Sequence, residues 1–158
     1  MRAHELAVEF PTVTPDTGAL EAARLLAEHH LPGLIVIDAD HRPVAVLSAP
    51  QLLGAVIPGY VRDDPALARV YDEGHADQLC APLAAKTVAD LLPSDHTAPP
   101  VVDAHATAME IASLMAQARS SVVAVSADPH RTDAPMTGVV TASDLLARLL
   151  SAGAPQTT

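Results

Sequence analysis

The chain contains an internal repeat, and this repeat limits the possible folds more than any other feature of the sequence. The segment that begins at Pro11 matches the segment that begins at Pro100, with constant spacing through the helix-like stretch that follows. Further on, the apolar run at 34–37 matches the run at 122–125, and the polar stretch at 128–135 accounts for wider spacing later in the chain. Self-similarity of this kind indicates that one supersecondary unit occurs twice.

Each copy predicts the same order of elements, β-α-β-β-α. A short extended segment precedes a helix, and two β-rich runs then lead to a second helix. The β-rich runs lie at 34–37, 44–47, 122–125 and 136–140, and the second helices lie near 49–57 and 142–150. One copy alone would expose an apolar sheet, so we expect the two copies to pack together around a pseudo-twofold axis. The predicted fold class is α/β (α+β), with repeat one at 1–57, a helical insertion at 58–85 and repeat two at 86–158.

The first helix of each copy has a recognisable start and an apolar face. In the second copy, Thr107 and Glu110 form a capping box at the helix start. Apolar residues recur at helical spacing, namely Leu20, Ala23 and Leu26 in the first copy and Met109, Ala112 and Met115 in the second. These helices, at 20–27 and 109–118, are candidates for a surface through which two copies of the chain pair.

The insertion at 58–85 is longer than the repeat requires. Asp64 followed by Pro65 is typical of a helix N-cap with proline at the first helical position, and it predicts a helix that continues to residue 73. A further helix is predicted at 75–83. The sequence leaves open whether these helices add a structural layer or dock a partner.

Composition restricts the ligands and partners. Of the 158 residues, 49% are hydrophobic but only 2% are aromatic, so a bound base would rest on aliphatic side chains and backbone groups. The net charge is −10 and the nine basic residues form no cluster, which argues against nucleic-acid binding and against docking to anionic lipid. Cys80 is the lone cysteine, so an internal disulfide is excluded. With no signal peptide and no apolar run of membrane-spanning length, we expect a soluble cytoplasmic protein without direct membrane insertion.

The strongest local signal is the segment from Gly138 to Asp144. A strand is predicted to end at Val140, with Thr141 as the N-cap of the next helix and Asp144 at its third position. Gly138 would let another group approach the backbone closely. A carboxylate at a helix N-terminus can accept hydrogen bonds from both hydroxyls of a ribose. Thr-x-x-Asp is equally a capping box that stabilises the helix and binds nothing, and the spacing alone leaves both interpretations open.

The ordered set of motifs resembles the CBS domain family, named after cystathionine β-synthase. The motifs are Val13-Thr-Pro-Asp16, the Glu-Ala-Ala helix, Leu31-Pro-Gly-Leu-Ile-Val-Ile-Asp38 and Gly138-Val-Val-Thr-Ala-Ser-Asp144, and they cover nearly all of the chain outside the insertion. The resemblance implies a Bateman module with two clefts between its sheets. It also implies that Thr141 and Asp144 contact the ribose of AMP, ADP, ATP or a related adenosyl ligand.

The resemblance implies further contacts around the same ribose site. Arg119 lies where the family often places a basic phosphate contact, and a solvated arginine at a helix end fits this position equally well. The adenine would lie against valines that are also core residues. The predicted nucleotide-binding set is Gly138, Thr141, Asp144, Arg119, Ser121, Val122, Val101 and Val102.

The first copy departs from the family pattern. Ala45 replaces the glycine and Gln51 replaces the aspartate, so the ribose-directed carboxylate is missing although Ser48 and Gln51 can still cap the helix. We therefore expect one good site rather than two. The weaker second cleft would comprise Thr12, Val13, His30, Gly33, Leu34, Ser48 and Gln51. His29 and His30 have no third ligand at suitable spacing, so no metal site is predicted.

The predicted function is a regulatory adenine-nucleotide sensor that forms a homodimer and controls a partner protein in trans, either a transporter or an enzyme. The sequence contains no nucleophile elbow, Walker loop or His-Glu-x-x-His, so neither an enzyme nor a catalytic cofactor is expected. The departures at Ala45 and Gln51 keep a second interpretation open, which is a structural dimerisation module whose clefts bind no ligand.

Overall fold

The computed structural model describes residues 1–57, 59–70, 78–128, 130–131 and 133–153. The chain divides into two compact units that interleave along the sequence. The first-repeat unit comprises Pro11–Ile37 and Ala45–Thr97, and the second-repeat unit comprises Met1–Phe10, Asp38–Val44 and Ala98–Thr158. These units are defined by spatial contacts, whereas the boundaries given above are defined by sequence similarity and stay predictions.

The described helices and strands follow the predicted order. In chain order they are α1 (Ala3–Leu6), β1 (Thr12–Val13), α2 (Ala19–His29), β2 (Gly33–Ile37), β3 (Pro43–Ser48), α3 (Ala49–Val56), α4 (Gly59–Asp63), α5 (Val88–Leu91), β4 (Val101–Val102), α6 (Ala108–Ala118), β5 (Val122–Ser126), β6 (Met136–Thr141) and α7 (Ala142–Gly153). Each β-rich run of the sequence is a strand, and the β-α-β-β-α order occurs twice, which confirms the predicted fold class. None of the helices among these residues combines the length and apolar character needed to cross a membrane.

Each repeat forms a three-stranded sheet, in the order β1-β2-β3 and β4-β5-β6. β1 runs parallel to β2, with Thr12 opposite Ile35, and β4 runs parallel to β5, with Val101 opposite Ala124. β5 and β6 are antiparallel, and Val122 lies opposite Thr141. Thr12 and Val13 on β1 therefore occupy positions equivalent to those of Val101 and Val102 on β4.

The middle strand of each sheet is buried along its whole length. Every residue of β2 and β5 is buried, so neither strand shows an alternation of buried and exposed side chains. Strands of this kind have both faces covered and are rich in Val, Ile and Leu. Each such side chain contributes about 1.5–3 kcal/mol on burial, so an aliphatic core suffices in a chain with almost no aromatic residues.

The core of the second-repeat unit lies between its sheet and three helices. Ile111 and Met115 of α6, Leu145 of α7 and Leu6 of α1 belong to one buried cluster with Val123, Val125 and Val140 of the strands. Thr107 and Glu110 form the predicted capping box, in which each side chain accepts a backbone N–H of the other residue. The start of α6 is confirmed by this pair.

The predicted apolar faces of the helices need correction. The helical spacing predicts that Met109 shares a face with Met115, but Met109 is 78% exposed whereas Ile111 and Met115 are buried. The buried line of α2 likewise contains Ala19, Ala22 and Leu26 rather than Leu20 and Ala23. The pattern was ambiguous because small alanines occur on more than one side of each helix, and only packing against the sheet selects the buried side.

The described helical turns of the insertion differ from the prediction in type or in position. Asp64 acts as expected, because its Oδ1 accepts the Ala66 N–H at 3.2 Å, but the helix that follows is a 3₁₀-helix at Pro65–Val70. The rest of its predicted length, at 71–73, lies outside the described residues. The second predicted helix, at 75–83, is wrong where the structure describes it, because a 3₁₀-helix occupies Ala81–Ala85 instead. Proline at 82 and the loss of the apolar periodicity favour this tighter, shorter form.

The N-terminal segment packs within the second-repeat unit. The N–H of Ala3 donates to the carbonyl of Ala106 at 2.8 Å, and the N–H of His4 donates to the carbonyl of Ala104 at 3.0 Å. Val8 and Val139 exchange two backbone hydrogen bonds, each of 3.0 Å. Residues 1–10 thus pack beside β6. The sequence pattern did not predict this contact.

Candidate functional site

The end of β6 and the start of α7 bring Thr141 and Asp144 together. Thr141 is buried, and its hydroxyl donates to Oδ2 of Asp144 at 2.8 Å. The backbone N–H of Asp144 donates to the same hydroxyl oxygen at 3.1 Å. Thr141 is therefore the helix N-cap, as predicted. One carboxylate oxygen of Asp144, Oδ2, thus accepts a hydrogen bond from Thr141. The other carboxylate oxygen has no hydrogen-bond partner within the described part of the chain.

The corresponding pair in the first repeat is arranged differently. Oε1 of Gln51 accepts the backbone N–H of Ser48 at 2.8 Å, and the N–H of Gln51 donates to the Ser48 hydroxyl at 3.3 Å. This is a closed capping box, in which the side-chain oxygen of Gln51 turns back to its own helix. The first repeat thus uses this position for helix capping, whereas the second repeat leaves a carboxylate oxygen exposed.

Gly138 is closely approached by the chain's own N-terminal segment. A Cβ atom at Gly138 would lie 3.0 Å from the carbonyl oxygen of Val8 and 3.1 Å from Cβ of Ala7. Gly138 also lies three residues before Thr141 on β6, which corresponds to roughly 10 Å along an extended strand. The close approach that the sequence predicted is real, but the group that makes it is Val8. A ligand contact at Gly138 stays a prediction.

Two exposed residues end the first helices of the repeats in the left-handed conformation. Arg119 has φ 50° and follows α6, and His30 has φ 50° and follows α2. Left-handed backbone is uncommon for residues other than glycine, and at helix ends it terminates the helix. The helix-end position of Arg119 is as predicted, and its guanidinium group is exposed.

The remaining predicted residues of the second repeat gather at two places on one sheet. Val122 begins β5 opposite Thr141, and the carbonyl of Ser121 accepts the N–H of Ala142 at 2.8 Å, so these residues surround the start of α7. Val101 and Val102 lie on the neighbouring strand β4, opposite Ala124 and Val125. Val102 and Val122 are buried core residues, and Val101 is half-buried.

In the first repeat, the predicted residues are mostly part of the core. Val13 and Leu34 are buried, and Thr12 is half-buried beside them on β1. Gly33 is required by packing, because a Cβ there would lie 3.1 Å from the carbonyl oxygen of Leu47. His30 and Gln51 retain partly or fully exposed side chains. The sequence did not identify Ala7 and Val8 as neighbours of Gly138, and the glycine itself was the signal that some group lies there.

Comparisons with known proteins agree with this architecture. The sequence profile of the CBS domain matches residues 5–57 and 88–151. A CBS domain-containing protein of unknown function from Kribbella flavida DSM 17836 is 43% identical, with a TM-score of 0.81 over 95% of this chain and 99% of that one. No curated protein matches the sequence.

More distant structures share the fold. CBSX2 of Arabidopsis thaliana, solved in complex with AMP, is 22% identical, with a TM-score of 0.65 over 97% of this chain and 98% of that one. The soluble part of a magnesium transporter is 17% identical, with a TM-score of 0.61 over 97% of this chain and 49% of that one. On the profile match, the 43% identical relative and the twofold β-α-β-β-α order, the chain belongs to the CBS domain family.

Proposed function

We propose that this chain is a regulatory module that senses an adenine nucleotide, either AMP, ADP, ATP or a related adenosyl ligand, through its second repeat. The observation that carries the proposal is the Asp144 carboxylate, held at the start of α7 by the Thr141 hydroxyl at 2.8 Å. A free carboxylate oxygen in this position can accept hydrogen bonds from the two ribose hydroxyls of a nucleotide. Hydrogen bonds to a charged group are stronger than those between neutral groups.

In this arrangement Thr141 is proposed both to position Asp144 and to contact the ribose. Its hydroxyl donates to Asp144 and accepts the Asp144 N–H, and its oxygen has a second lone pair that can accept a hydrogen bond from the ribose. The cap fixes the carboxylate before ligand arrives, and a fixed side chain loses less conformational entropy on binding. Asp144 is therefore the principal proposed ribose contact, and Thr141 orients it and adds a second contact.

The other proposed contacts follow the same sheet. Arg119 presents an exposed guanidinium that can bind phosphate oxygens in pairs. Val122 and Ser121 border the start of α7, and Val101 and Val102 supply an aliphatic surface for the base on β4. AMP in the CBSX2 structure supports an adenine nucleotide as the ligand class for a chain of this fold.

The first repeat is proposed to bind adenine nucleotide weakly or not at all. Gln51 carries no charge, and its oxygen is used by the Ser48 N–H. If the second repeat also binds no nucleotide, the same two observations favour the second candidate function, a dimerisation module without a ligand. In the first candidate function Asp144 binds the ribose, whereas in the second it only helps to cap α7. Substitution of Asp144 therefore distinguishes the two functions.

We propose further that the module is a cytoplasmic homodimer, not an enzyme, and that it controls another protein in trans. Four large apolar side chains on α6 and α7 are exposed, namely Met109, Leu146, Leu149 and Leu150. The two helices that carry these side chains pack against each other. A second copy of the chain would cover such a surface. The transporter among the structural neighbours supports a transporter as one class of regulated partner.

A thermal-shift screen tests the ligand proposal. AMP, ADP, ATP, S-adenosylmethionine and adenosine are each added to the protein at increasing concentration. A ligand that binds only the folded state raises Tm in a concentration-dependent way. At least one nucleotide should raise Tm in the parent protein and should do so much less in Asp144→Asn. If no adenosyl compound raises Tm, the dimerisation module is the better function.

A further inference from the structure

A cavity lies within the first-repeat unit, and none of residues 138–144 lines it. Its volume is about 340 Å³, which falls within the range of roughly 300–1,000 Å³ that is usual for small-molecule sites. It lies between α3, α4 and the segment that contains α5. The lining residues that matter for its chemistry are Gln51, Gly54, Arg62, Lys86, Asp90 and Leu91.

The charges in this cavity favour an anion, although the chain as a whole carries a net charge of −10. Arg62 and Lys86 contribute two cations, and neither forms an ion pair with any residue that the structure describes. Asp90 is the carboxylate in the lining, and its Oδ2 already accepts the Thr87 N–H at 2.9 Å and the Thr87 hydroxyl at 3.2 Å. The backbone of Lys86 is held at the edge of the cavity, because its carbonyl accepts the Ala19 N–H at 2.9 Å.

Gln51 adds a hydrogen-bond donor to the same lining. Because Oε1 of Gln51 accepts the backbone N–H of Ser48 at 2.8 Å, the group that this side chain has left to offer is its NH₂. The lining thus combines a guanidinium, an ammonium and an amide NH₂. A ligand rich in acceptor oxygens would match these donors.

Gly54 leaves open space on the cavity side of α3. Glycine is among the least favourable residues in a helix interior, and here neither backbone conformation nor crowding requires it. No described glycine has positive φ, and a Cβ at Gly54 would meet no atom within 4 Å. The absence of a side chain keeps the volume of the cavity available, which is a second observation independent of the charges.

We propose that this cavity binds a small phosphorylated molecule, with its phosphate between Arg62 and Lys86 and its apolar part against Leu91. A phosphate monoester carries a charge of about −1.5 to −2 at pH 7, which Arg62 and Lys86 attract and which their charge, less that of Asp90, offsets in part. Arginine can also bind two phosphate oxygens at once. The insertion then has a role, because α4 supplies Arg62. The proposal is independent of the second-repeat nucleotide site, with which the cavity shares no residue; Gln51 alone is common to the cavity and the weaker first-repeat cleft.

Phenyl phosphate is a suitable probe, because it combines a dianion with a small apolar body, and benzyl alcohol is its neutral control. Calorimetry of the full chain should give a dissociation constant for phenyl phosphate on the order of 1 mM and no measurable binding of benzyl alcohol. In NMR spectra, the amide signals of Gln51, Gly54 and Leu91 should shift and saturate with the same constant. Shifts confined to the second repeat would overturn the proposal.

Substitutions identify the groups that bind. Arg62→Gln and Lys86→Gln should each weaken phenyl phosphate binding by roughly tenfold, the effect of losing a charge-assisted hydrogen bond. Arg69→Gln removes the same charge from an exposed arginine that does not line the cavity, and it should leave the affinity unchanged. Equal losses in Arg62→Gln and Arg69→Gln would show a general charge effect and overturn the proposal.

A variant that fills the cavity gives a test without removing charge. Gly54→Leu should abolish binding while keeping or raising Tm, because leucine favours helix and its side chain enters open space. If Gly54→Leu fails to fold, Gly54→Ala supplies the smaller step and should weaken binding less than Arg62→Gln does. Unchanged affinity in a folded Gly54→Leu protein would contradict the proposed location.

Discussion

The hydroxyl of Thr141 donates to Oδ2 of Asp144 at 2.8 Å, and the N–H of Asp144 donates back to that hydroxyl at 3.1 Å. The two residues therefore form a reciprocal pair in which one side chain holds the other. This pair caps α7 and also presents a carboxylate at its start. The capping and binding interpretations of Thr-x-x-Asp are thus compatible, and experiments must separate ligand affinity from stability.

Asp144→Asn should weaken adenine-nucleotide binding by about tenfold or more, because the amide has no charge and one acceptor oxygen fewer. The fold should survive, since asparagine keeps the shape and can still accept the Thr141 hydroxyl. Calorimetric titration with AMP and ATP measures the affinity, and Tm without ligand measures the fold. Gln51→Ala is the control, and its affinity should stay close to that of the parent. If instead Gln51→Ala abolished nucleotide binding and Asp144→Asn bound like the parent, the site would lie in the first repeat.

Thr141→Val should lower both stability and affinity, whereas Thr141→Ser should largely restore both. Valine has nearly the same shape as threonine but cannot cap α7, and loss of an N-cap costs about 1 kcal/mol. Without the hydroxyl, Asp144 also loses the group that orients it. Urea unfolding and nucleotide titration of the two variants provide the measurements. If Thr141→Val loses stability but binds nucleotide as tightly as the parent, Thr141 has no positioning role.

Gly138→Ala should destabilise the protein by about 1–3 kcal/mol, which is typical of overpacking. The new Cβ would lie 3.0 Å from the carbonyl oxygen of Val8, a backbone atom that cannot move independently of its segment. Thermal or urea unfolding measures the loss. Gly54→Ala is the matched control, because its methyl group meets open space and should be neutral or stabilising. A Gly138→Ala protein of unchanged Tm but reduced nucleotide affinity would show that the glycine serves a ligand instead.

Glu110 should make stability depend on pH in the acid range. The Thr107 N–H, which donates to Oε2 of Glu110 at 2.6 Å, holds the pKa of this carboxyl below its usual value of 4.5. A lowered folded-state pKa means that the stabilising effect is complete above the ordinary value and is lost as the pH falls through the folded-state pKa. The difference in Tm between the parent and Glu110→Ala should therefore be full at neutral pH and shrink in acid. Glu28→Ala, on the exposed side of α2, is the comparison. An equal Tm difference at every pH would contradict the prediction.

Met109→Glu combined with Leu150→Glu should convert a homodimer into a monomer. Both side chains are exposed in the single chain, at 78% and 72%, and charged groups there would be costly to bury against a second copy. Sedimentation at tens of micromolar, roughly the range in which typical interfaces assemble, distinguishes the two states. Leu67→Glu, in the insertion, should remain dimeric. A monomeric parent protein would refute the proposed pairing.

The elements that the sequence predicted well are those determined by local pattern. Residues 34–37 and 122–125 are short apolar runs rich in Val and Ile with turn residues nearby, and their length and β-branched composition favour buried strands over helices. The start of α6 was also predictable, because the Thr107 and Glu110 capping box is a contact between residues three positions apart. The same reasoning placed Thr141 and Asp144 at the start of α7.

The features that escaped prediction depend on contacts between distant parts of the chain. Met109 satisfies the helical spacing as well as Ile111 does, and only the position of the sheet decides which of them is buried. Gly138 signalled a close neighbour but could not identify it as Val8, which lies far away in sequence. Arg62 and Lys86 are separated by most of the insertion, so no local motif unites them. The fold was therefore predictable in outline, and the site was predictable only where its residues are neighbours in sequence.

The backbone pairing of Val8 with Val139 affects the order in which the two units can fold during synthesis. Residues 1–10 leave the ribosome well before their hydrogen-bond partners in β6, which are synthesised only after the first repeat and the insertion. Until then, the apolar side of this early segment has no partner in its own unit. Contacts over such long sequence separations slow folding, and a segment left waiting is exposed to misassembly or chaperone capture. Synthesis would thus supply the first repeat early, while the unit that carries Asp144 is completed last.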